Sequence, residues 1–419
     1  MTGLPPQYRE RATPAGRLPA FPWDSLAGAK ARAAAHPDGM IDLSIGTPVD
    51  DVFESARAGL AATSAVPGYP QTAGTPELRA AIAGAMERRH GVAGLSAERG
   101  VLPVVGTKES IAWLPFLLGV GEGHTVVIPE LSYPTYEVGA RMAGARVVRA
   151  DSLTQLGPSR PTLMYVNSPG NPSGRVLGVD HLRKVVSWAR ERGVIVVSDE
   201  CYLGLDWELE APSILDPRVC DGDFTGLLAM HSLSKAANLA SYRAGWLCGD
   251  ESLVQDLLAL RRHAGLMVPG PIQSAMVASL DDDHSVEVQR GRYGRRRAVL
   301  RAAVEGAGFR VDDSDGGLYL WVTRDVGDGR AASDQPTTDQ LTTADQPTGG
   351  STAADQPTAG QPTAGSAETC RDLVDWFADR GILVAPGEFY GPKGVRHVRI
   401  GLTASDEAIE VAAGRLRSS

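Results

Sequence analysis

The sequence predicts an α/β protein in which a large domain, built on a mostly parallel seven-stranded sheet, is joined to a smaller α+β domain. Residues 101–105, 125–128, 146–149, 162–166, 194–197, 226–230 and 244–247 are short apolar or β-branched runs. Most are separated by amphipathic stretches of helix length, and strands that alternate with helices form parallel sheets covered on both faces. Beyond about residue 280 the order changes to a long helix, a strand at 317–323, a helix at 370–380, a strand at 395–402 and a final helix. This change divides the chain into a large domain at 49–278 and a small one made of 1–48 and 279–419.

Individual elements carry their own signals. Thr75 ahead of Pro76 and Glu77 opens a helix over 75–90, with a hydroxyl to cap the first N–H groups and a proline where no N–H is needed. A second helix spans 179–192. Gly119-Val120-Gly121-Glu122-Gly123 precedes a strand instead of linking strand to helix, so it reads as a turn and not as a dinucleotide site. Between 328 and 367, Asp-Gln-Pro-Thr recurs at Asp334, Asp345 and Asp355, with Gln361-Pro362-Thr363 as a partial copy. So polar a stretch cannot bury enough apolar surface to offset the entropy of ordering it, and a disordered low-complexity insertion is expected.

Composition narrows the function. Of the 419 residues 43% are apolar, enough for sizeable cores, and the net charge of −9 offers no surface for nucleic acid. The 4 cysteines are far apart and the 8 histidines are scattered, so neither a metal site nor a redox dithiol is expected. Residues 1–23 lack the apolar core of a signal peptide and no apolar run is long enough to span a bilayer, so a cytoplasmic location, without membrane or nucleic-acid partners, is expected.

The chemistry lies in six clusters. Ser232-Leu233-Ser234-Lys235 is followed eight residues later by Arg243. Alone, such a stretch also describes a solvated lysine in a polar turn, but a lysine that carries pyridoxal phosphate as a Schiff base needs hydroxyls and a guanidinium for the phosphate. Gly106-Thr107-Lys108 follows a strand and opens a helix, where N–H groups and a hydroxyl face an anion. Tyr133, after the next strand, offers a face to a pyridine ring. The loop Asn167-Ser168-Pro169-Gly170-Asn171-Pro172-Ser173-Gly174 holds the Asn171 amide for a ring oxygen. Asp199-Glu200-Cys201-Tyr202 places a carboxylate to pair with a protonated ring nitrogen and a phenol to reach the ring oxygen. Cys201 reads as a small buried thiol. Arg399, inside the apolar strand Val398-Arg399-Ile400-Gly401-Leu402, fits either a structural salt bridge or a substrate carboxylate.

Together these motifs resemble the fold-type-I pyridoxal-phosphate aminotransferases of the class I/II group, over nearly the whole chain except the Asp-Gln-Pro-Thr insertion. The resemblance implies that Lys235 is the Schiff-base lysine and proton carrier, with Asp199 on the pyridine nitrogen and Asn171 and Tyr202 on the ring oxygen. Tyr133 would stack on the ring. Gly106, Thr107, Lys108, Ser232, Ser234 and Arg243 would surround the phosphate, and Gly46, Asn171 and Arg399 would bind substrate. Tyr69, in Gly68-Tyr69-Pro70, matches a tyrosine that in this family reaches the phosphate of a neighbouring subunit, which implies a homodimer. Phe21-Pro22-Trp23-Asp24, Asp42-Leu43-Ser44-Ile45-Gly46-Thr47-Pro48, the stretch from Ile128 to Ala140 and that from Ile382 to Gly387 are similar to the N-succinyldiaminopimelate aminotransferases of lysine and cell-wall precursor synthesis. The chain departs from that branch at Ala236-Ala237-Asn238 and at Ser241.

The function expected is ping-pong transamination, in which glutamate loads the amino group, leaving 2-oxoglutarate, and an N-succinylated 2-amino-6-oxopimelate receives it. A class I/II transaminase acting on aspartate or aromatic amino acids is the alternative enzyme. A catalytically silent cofactor-binding regulator is the alternative of another class, against which stand an intact Lys235 and the lack of a helix-turn-helix module before Met40.

The insertion yields a first prediction. Replacing residues 329–367 by a few Gly and Ser residues is expected to leave activity intact and to change stability by no more than about 1 kcal/mol, because loop closure depends weakly on length. Specific activity and thermal unfolding of the deletion check this, and limited proteolysis should cut the parent there first.

Overall fold

The computed structural model describes residues 14–19, 21–324 and 368–417. Residues 1–13 and the Asp-Gln-Pro-Thr segment lie outside the described residues. The strands are β1 (Ile41–Asp42), β2 (Val101–Val105), β3 (Thr125–Ile128), β4 (Arg146–Arg149), β5 (Leu163–Asn167), β6 (Ile195–Asp199), β7 (Leu227–Ser232), β8 (Ala244–Gly249), β9 (Arg310–Asp312), β10 (Tyr319–Thr323), β11 (Ile382–Leu383), β12 (Ala385–Pro386) and β13 (Val398–Gly401).

Seven of them form one sheet in the order β2-β8-β7-β6-β5-β3-β4. Side chains alternate between its faces: Val196 packs with Leu78, Ile82, Leu182 and Val185 on one side, while Val197 packs with Ile111, Tyr136, Ala140 and Leu257 on the other. All pairings are parallel except those of β8, which runs antiparallel to both β2 and β7. The link between β7 and β8 holds a single four-residue helix, Leu233–Ala236. That is too short for the crossover a parallel return requires, so β8 runs straight back beside β7. Lys235 and Arg243, one just after β7 and the other just before β8, are thereby held at the same edge of the sheet.

A second sheet, β12-β13-β10-β9, is antiparallel throughout, and β1 pairs in parallel with β11 beside it. Its core joins Leu318, Leu320 and Ile400 to the helices Asp283–Gly306, Cys370–Ala378 and Asp406–Arg417. Arg324 Nε donates to Glu368 Oε2 at 2.9 Å, joining the two residues that bracket 325–367. Among the described residues no helix is long and apolar enough to cross a membrane, and no group of three or more His, Cys, Asp or Glu side chains could hold a metal ion.

A buried polar network ties the second sheet's long helix to the turn that carries Lys235. Asn238 Nδ2 donates to Gln289 Oε1 at 2.9 Å, Gln289 Nε2 to Asp50 Oδ2 at 2.8 Å, and Arg296 to both oxygens of Asp50 at 2.6 and 2.8 Å. Burial works against the Asp50 charge, but hydrogen bonds from Arg296 and Gln289 outweigh it and hold the carboxyl below its ordinary 3.8. A depressed carboxylate contributes stability above its unfolded pKa, and this is lost as pH falls through the folded value. Asp50→Asn should therefore cost about 2–3 kcal/mol at neutral pH, because Arg296 stays buried with weaker pairing. Urea unfolding at several pH values should also show a shallower loss of stability below pH ~4 than in the parent.

Candidate active site

The parallel strands end at one edge of the large sheet, and the register there pairs Asn167 of β5 with Asp199 of β6 and Ser232 of β7 with Gly245 of β8. The crevice outside those strand ends is where open α/β sheets bind ligands. Asp199 is 5% exposed. Its Oδ2 accepts the Tyr136 hydroxyl at 2.6 Å and its Oδ1 the Cys201 N–H at 3.1 Å. Burial pushes the carboxyl above its ordinary range, against the pull of these donors and of nearby His231. A buried carboxylate of this kind calls for a cationic partner. Glu200 turns elsewhere, its Oε1 accepting the Ile214 N–H at 2.7 Å.

Lys235 is partly buried, and its Nζ donates to the Gly46 carbonyl. Burial holds this amine below the usual lysine range. Its helix is N-capped by Ser232, whose Oγ accepts the Ser234 N–H at 3.1 Å. Arg243 adopts a left-handed backbone with φ 56°, and its Nη1 donates to the Ala240 carbonyl at 2.9 Å. The rest of its guanidinium faces Gly106, where an added Cβ would overlap it. Gly106 is the N-cap of the helix Thr107–Leu117, with φ 75°. A guanidinium packed on the positive end of a helix is repelled unless an anion beside them neutralises both. The residues present therefore fit a phosphate.

Arg399 is 3% exposed, its Nη1 donating to Asn171 Oδ1 at 2.9 Å and its Nη2 to the Ser44 carbonyl at 2.6 Å. Its Cζ lies 3.9 Å from the Tyr319 ring centre and 4.9 Å from that of Tyr390, and its Nε has no hydrogen-bond partner. A buried guanidinium held only by neutral acceptors and aromatic faces has capacity left for a carboxylate. The Tyr202 hydroxyl is 3.1 Å from that of Tyr319, and Tyr133 packs edge-on against Tyr136 with ring centres 5.9 Å apart.

Two expected residues stay outside this cluster. Tyr69 is 97% exposed. The Lys108 side chain is also exposed, its ammonium 6.0 Å from the ring centre of Phe21. Conversely, Tyr136, Asn167 and Tyr319 were not singled out from sequence. Asn167 Oδ1 accepts the Asn171 N–H at 2.7 Å and its Nδ2 donates to the Asp199 carbonyl at 2.8 Å, which locks the two motifs together. Its place as the last residue of a strand beside Asp199 was the available signal.

Residues 38–416 match the family model for aminotransferase class I and II. A probable aminotransferase of Mycobacterium tuberculosis H37Rv is 58% identical over 399 residues, covering 95% of this chain and 85% of that one. The 4-dedimethylamino-4-oxo-anhydrotetracycline transaminase OxyQ of Streptomyces rimosus is 49% identical, covering 95% and 99%. Among solved structures, an aminotransferase from Neisseria meningitidis Z2491 superposes with a TM-score of 0.80 at 25% identity, covering 97% and 99%. A probable N-succinyldiaminopimelate aminotransferase from Thermus thermophilus does so with 0.76 at 25% identity, covering 95% and 100%. With the strand-end crevice, the buried lysine and the anion cradle already in place, these matches make the chain a member of the class I and II aminotransferases, pyridoxal-phosphate-dependent enzymes of fold type I.

Proposed function

We propose that the protein transfers an amino group from glutamate to an N-succinylated 2-amino-6-oxopimelate, with Lys235 as its central catalytic residue. The observation that carries the reading is the convergence of Lys235, Asp199 and Arg399 on one crevice, where the hydrogen bonds of all three go to neutral groups and to no side chain of opposite charge. When bound, pyridoxal phosphate supplies a carbonyl carbon for the amine and a ring that takes up the electron pair released at the substrate's Cα. Asp199 would hold the ring nitrogen, Asn171 and Tyr202 the ring oxygen, and Tyr133 the ring face. Gly106, Thr107, Lys108 through its backbone, Ser232, Ser234 and Arg243 would hold the phosphate. Arg399 would clamp the substrate α-carboxylate beside Gly46 and Asn171. Burial lowers the proton affinity of the Lys235 amine, and its Nζ would carry the proton taken from the substrate's Cα.

Residues 49–278 would then be the cofactor-binding domain, and 1–48 with 279–419 the domain that brings in Gly46 and Arg399. A homodimer belongs to the same reading and is supported by exposed Tyr69, Val49 and Val66, with Tyr69 reaching the neighbouring phosphate. The likeness to the Thermus thermophilus protein and the motifs shared with its branch support the succinylated acceptor. The 49% identity to the Streptomyces rimosus transaminase favours a second reading, a cyclic ketone acceptor. Assaying glutamate-dependent turnover with both acceptors separates the two.

Lys235→Ala should keep the fold and lose both the visible cofactor band and all transamination. Turnover of glutamate at the parent rate would remove Lys235 from its role. Arg399→Ala should weaken amino and keto acids alike by about 2–5 kcal/mol while cofactor retention barely changes. Steady-state kinetics over a range of glutamate concentrations reads this out. Tyr136→Phe removes the 2.6 Å donor to Asp199. Loss of a hydrogen bond to a charged group is expected to weaken cofactor binding by roughly tenfold, measured as cofactor dissociation on dialysis.

A further inference from the structure

Tyr319 lies on β10, is 4% exposed, and touches both halves of the crevice. Its hydroxyl is 3.1 Å from that of Tyr202, with the rings edge-on at 5.7 Å and 75°. The face of the same ring lies 3.9 Å from Arg399 Cζ. A Cβ at Gly46 would overlap the Tyr319 hydroxyl, so the space for this oxygen exists only because residue 46 has no side chain. Arg399 and Lys235 are the cations facing it, and the Cys201 thiol and the phenols of Tyr133 and Tyr390 complete its surroundings.

We propose that Tyr319 is a positioning residue that supports the Tyr202 hydroxyl as a donor to the cofactor's ring oxygen and couples it to Arg399. Each phenol has one proton to give. When Tyr202 turns its proton to a ring oxygen, its own oxygen becomes the acceptor for the Tyr319 proton, and successive O–H bonds strengthen one another. A stronger donor on the ring oxygen would stabilise its negative charge and lower the proton affinity of the Lys235 nitrogen when that residue holds the cofactor. The ring of Tyr319 meanwhile supports Arg399 by a cation–π contact that phenylalanine would keep.

The inference rests on the reading that Tyr202 contacts the cofactor, and the test separates the two. The readout is the pH midpoint of the visible absorption band of the cofactor-loaded protein, with maleate, an unreactive dicarboxylate, as the probe of Arg399. Tyr319→Phe should raise the midpoint by about half a pH unit and change maleate affinity by less than about twofold. Tyr319→Leu, which also removes the ring, should weaken maleate by roughly tenfold. Because Tyr319 acts through Tyr202, the double variant Tyr202→Phe/Tyr319→Phe should show the midpoint of Tyr202→Phe alone. An unmoved or lowered midpoint in Tyr319→Phe, or additive shifts in the double variant, overturns the inference while leaving the role of Tyr202 standing. An unmoved midpoint in Tyr202→Phe overturns both.

Discussion

A buried guanidinium with no acidic side chain in its hydrogen bonds is the constraint around which the crevice is organised. Arg399 takes a carbonyl from Ser44, an amide oxygen from Asn171, and ring faces from Tyr319 and Tyr390. Those four come from the N-terminal segment, the loop after β5, strand β10 and the turn after β12. Desolvating such a charge is tolerable only when every surrounding piece is in register, so the cost of Arg399 doubles as a check on the geometry of the site. The Asp42 side chain shapes the approach by accepting both the Ser44 N–H and its hydroxyl, at 2.9 and 2.6 Å. Gly401 N–H then donates to the Leu43 carbonyl at 2.8 Å, laying that segment along β13.

The turn bearing Lys235 is braced from outside the large sheet. Asn238 adopts φ 57°, a left-handed conformation that asparagine tolerates better than most residues. Its amide also reaches the Asp51 carbonyl at 3.2 Å, and the Tyr293 hydroxyl donates to the Lys235 carbonyl at 3.2 Å. This gives a physical reason for asparagine at the third residue after the lysine, where the chain departs from the N-succinyldiaminopimelate aminotransferases that other stretches resemble. Nothing in the structure explains Ala236 or Ser241.

Much of this was legible in the sequence, and the limits have physical causes. The seven runs read as central strands became β2 to β8 with ends displaced by no more than two residues, because buried strands need unbroken apolar character. Lys235, Asp199, Asn171, Tyr202, Arg243 and Arg399 carry polar groups at strand ends or inside an apolar strand, where they stand out. Tyr136, Asn167 and Tyr319 do not stand out, since a tyrosine or asparagine near an apolar run is ordinary until the fold supplies its distant partner. The short strands β1, β9, β11 and β12 escaped for the same reason: with two or three residues each, they exist through pairing and not through local preference.

The ion pair between Arg324 and Glu368 has a use beyond this protein's chemistry. Whatever chain lies between those residues leaves and re-enters the fold at a single clasp, on the far side of β10 in sequence from Tyr319. Such a point is a natural port for grafting: a reporter domain or affinity module whose own termini lie close together can be spliced between the clasped residues without stretching the sheet beneath.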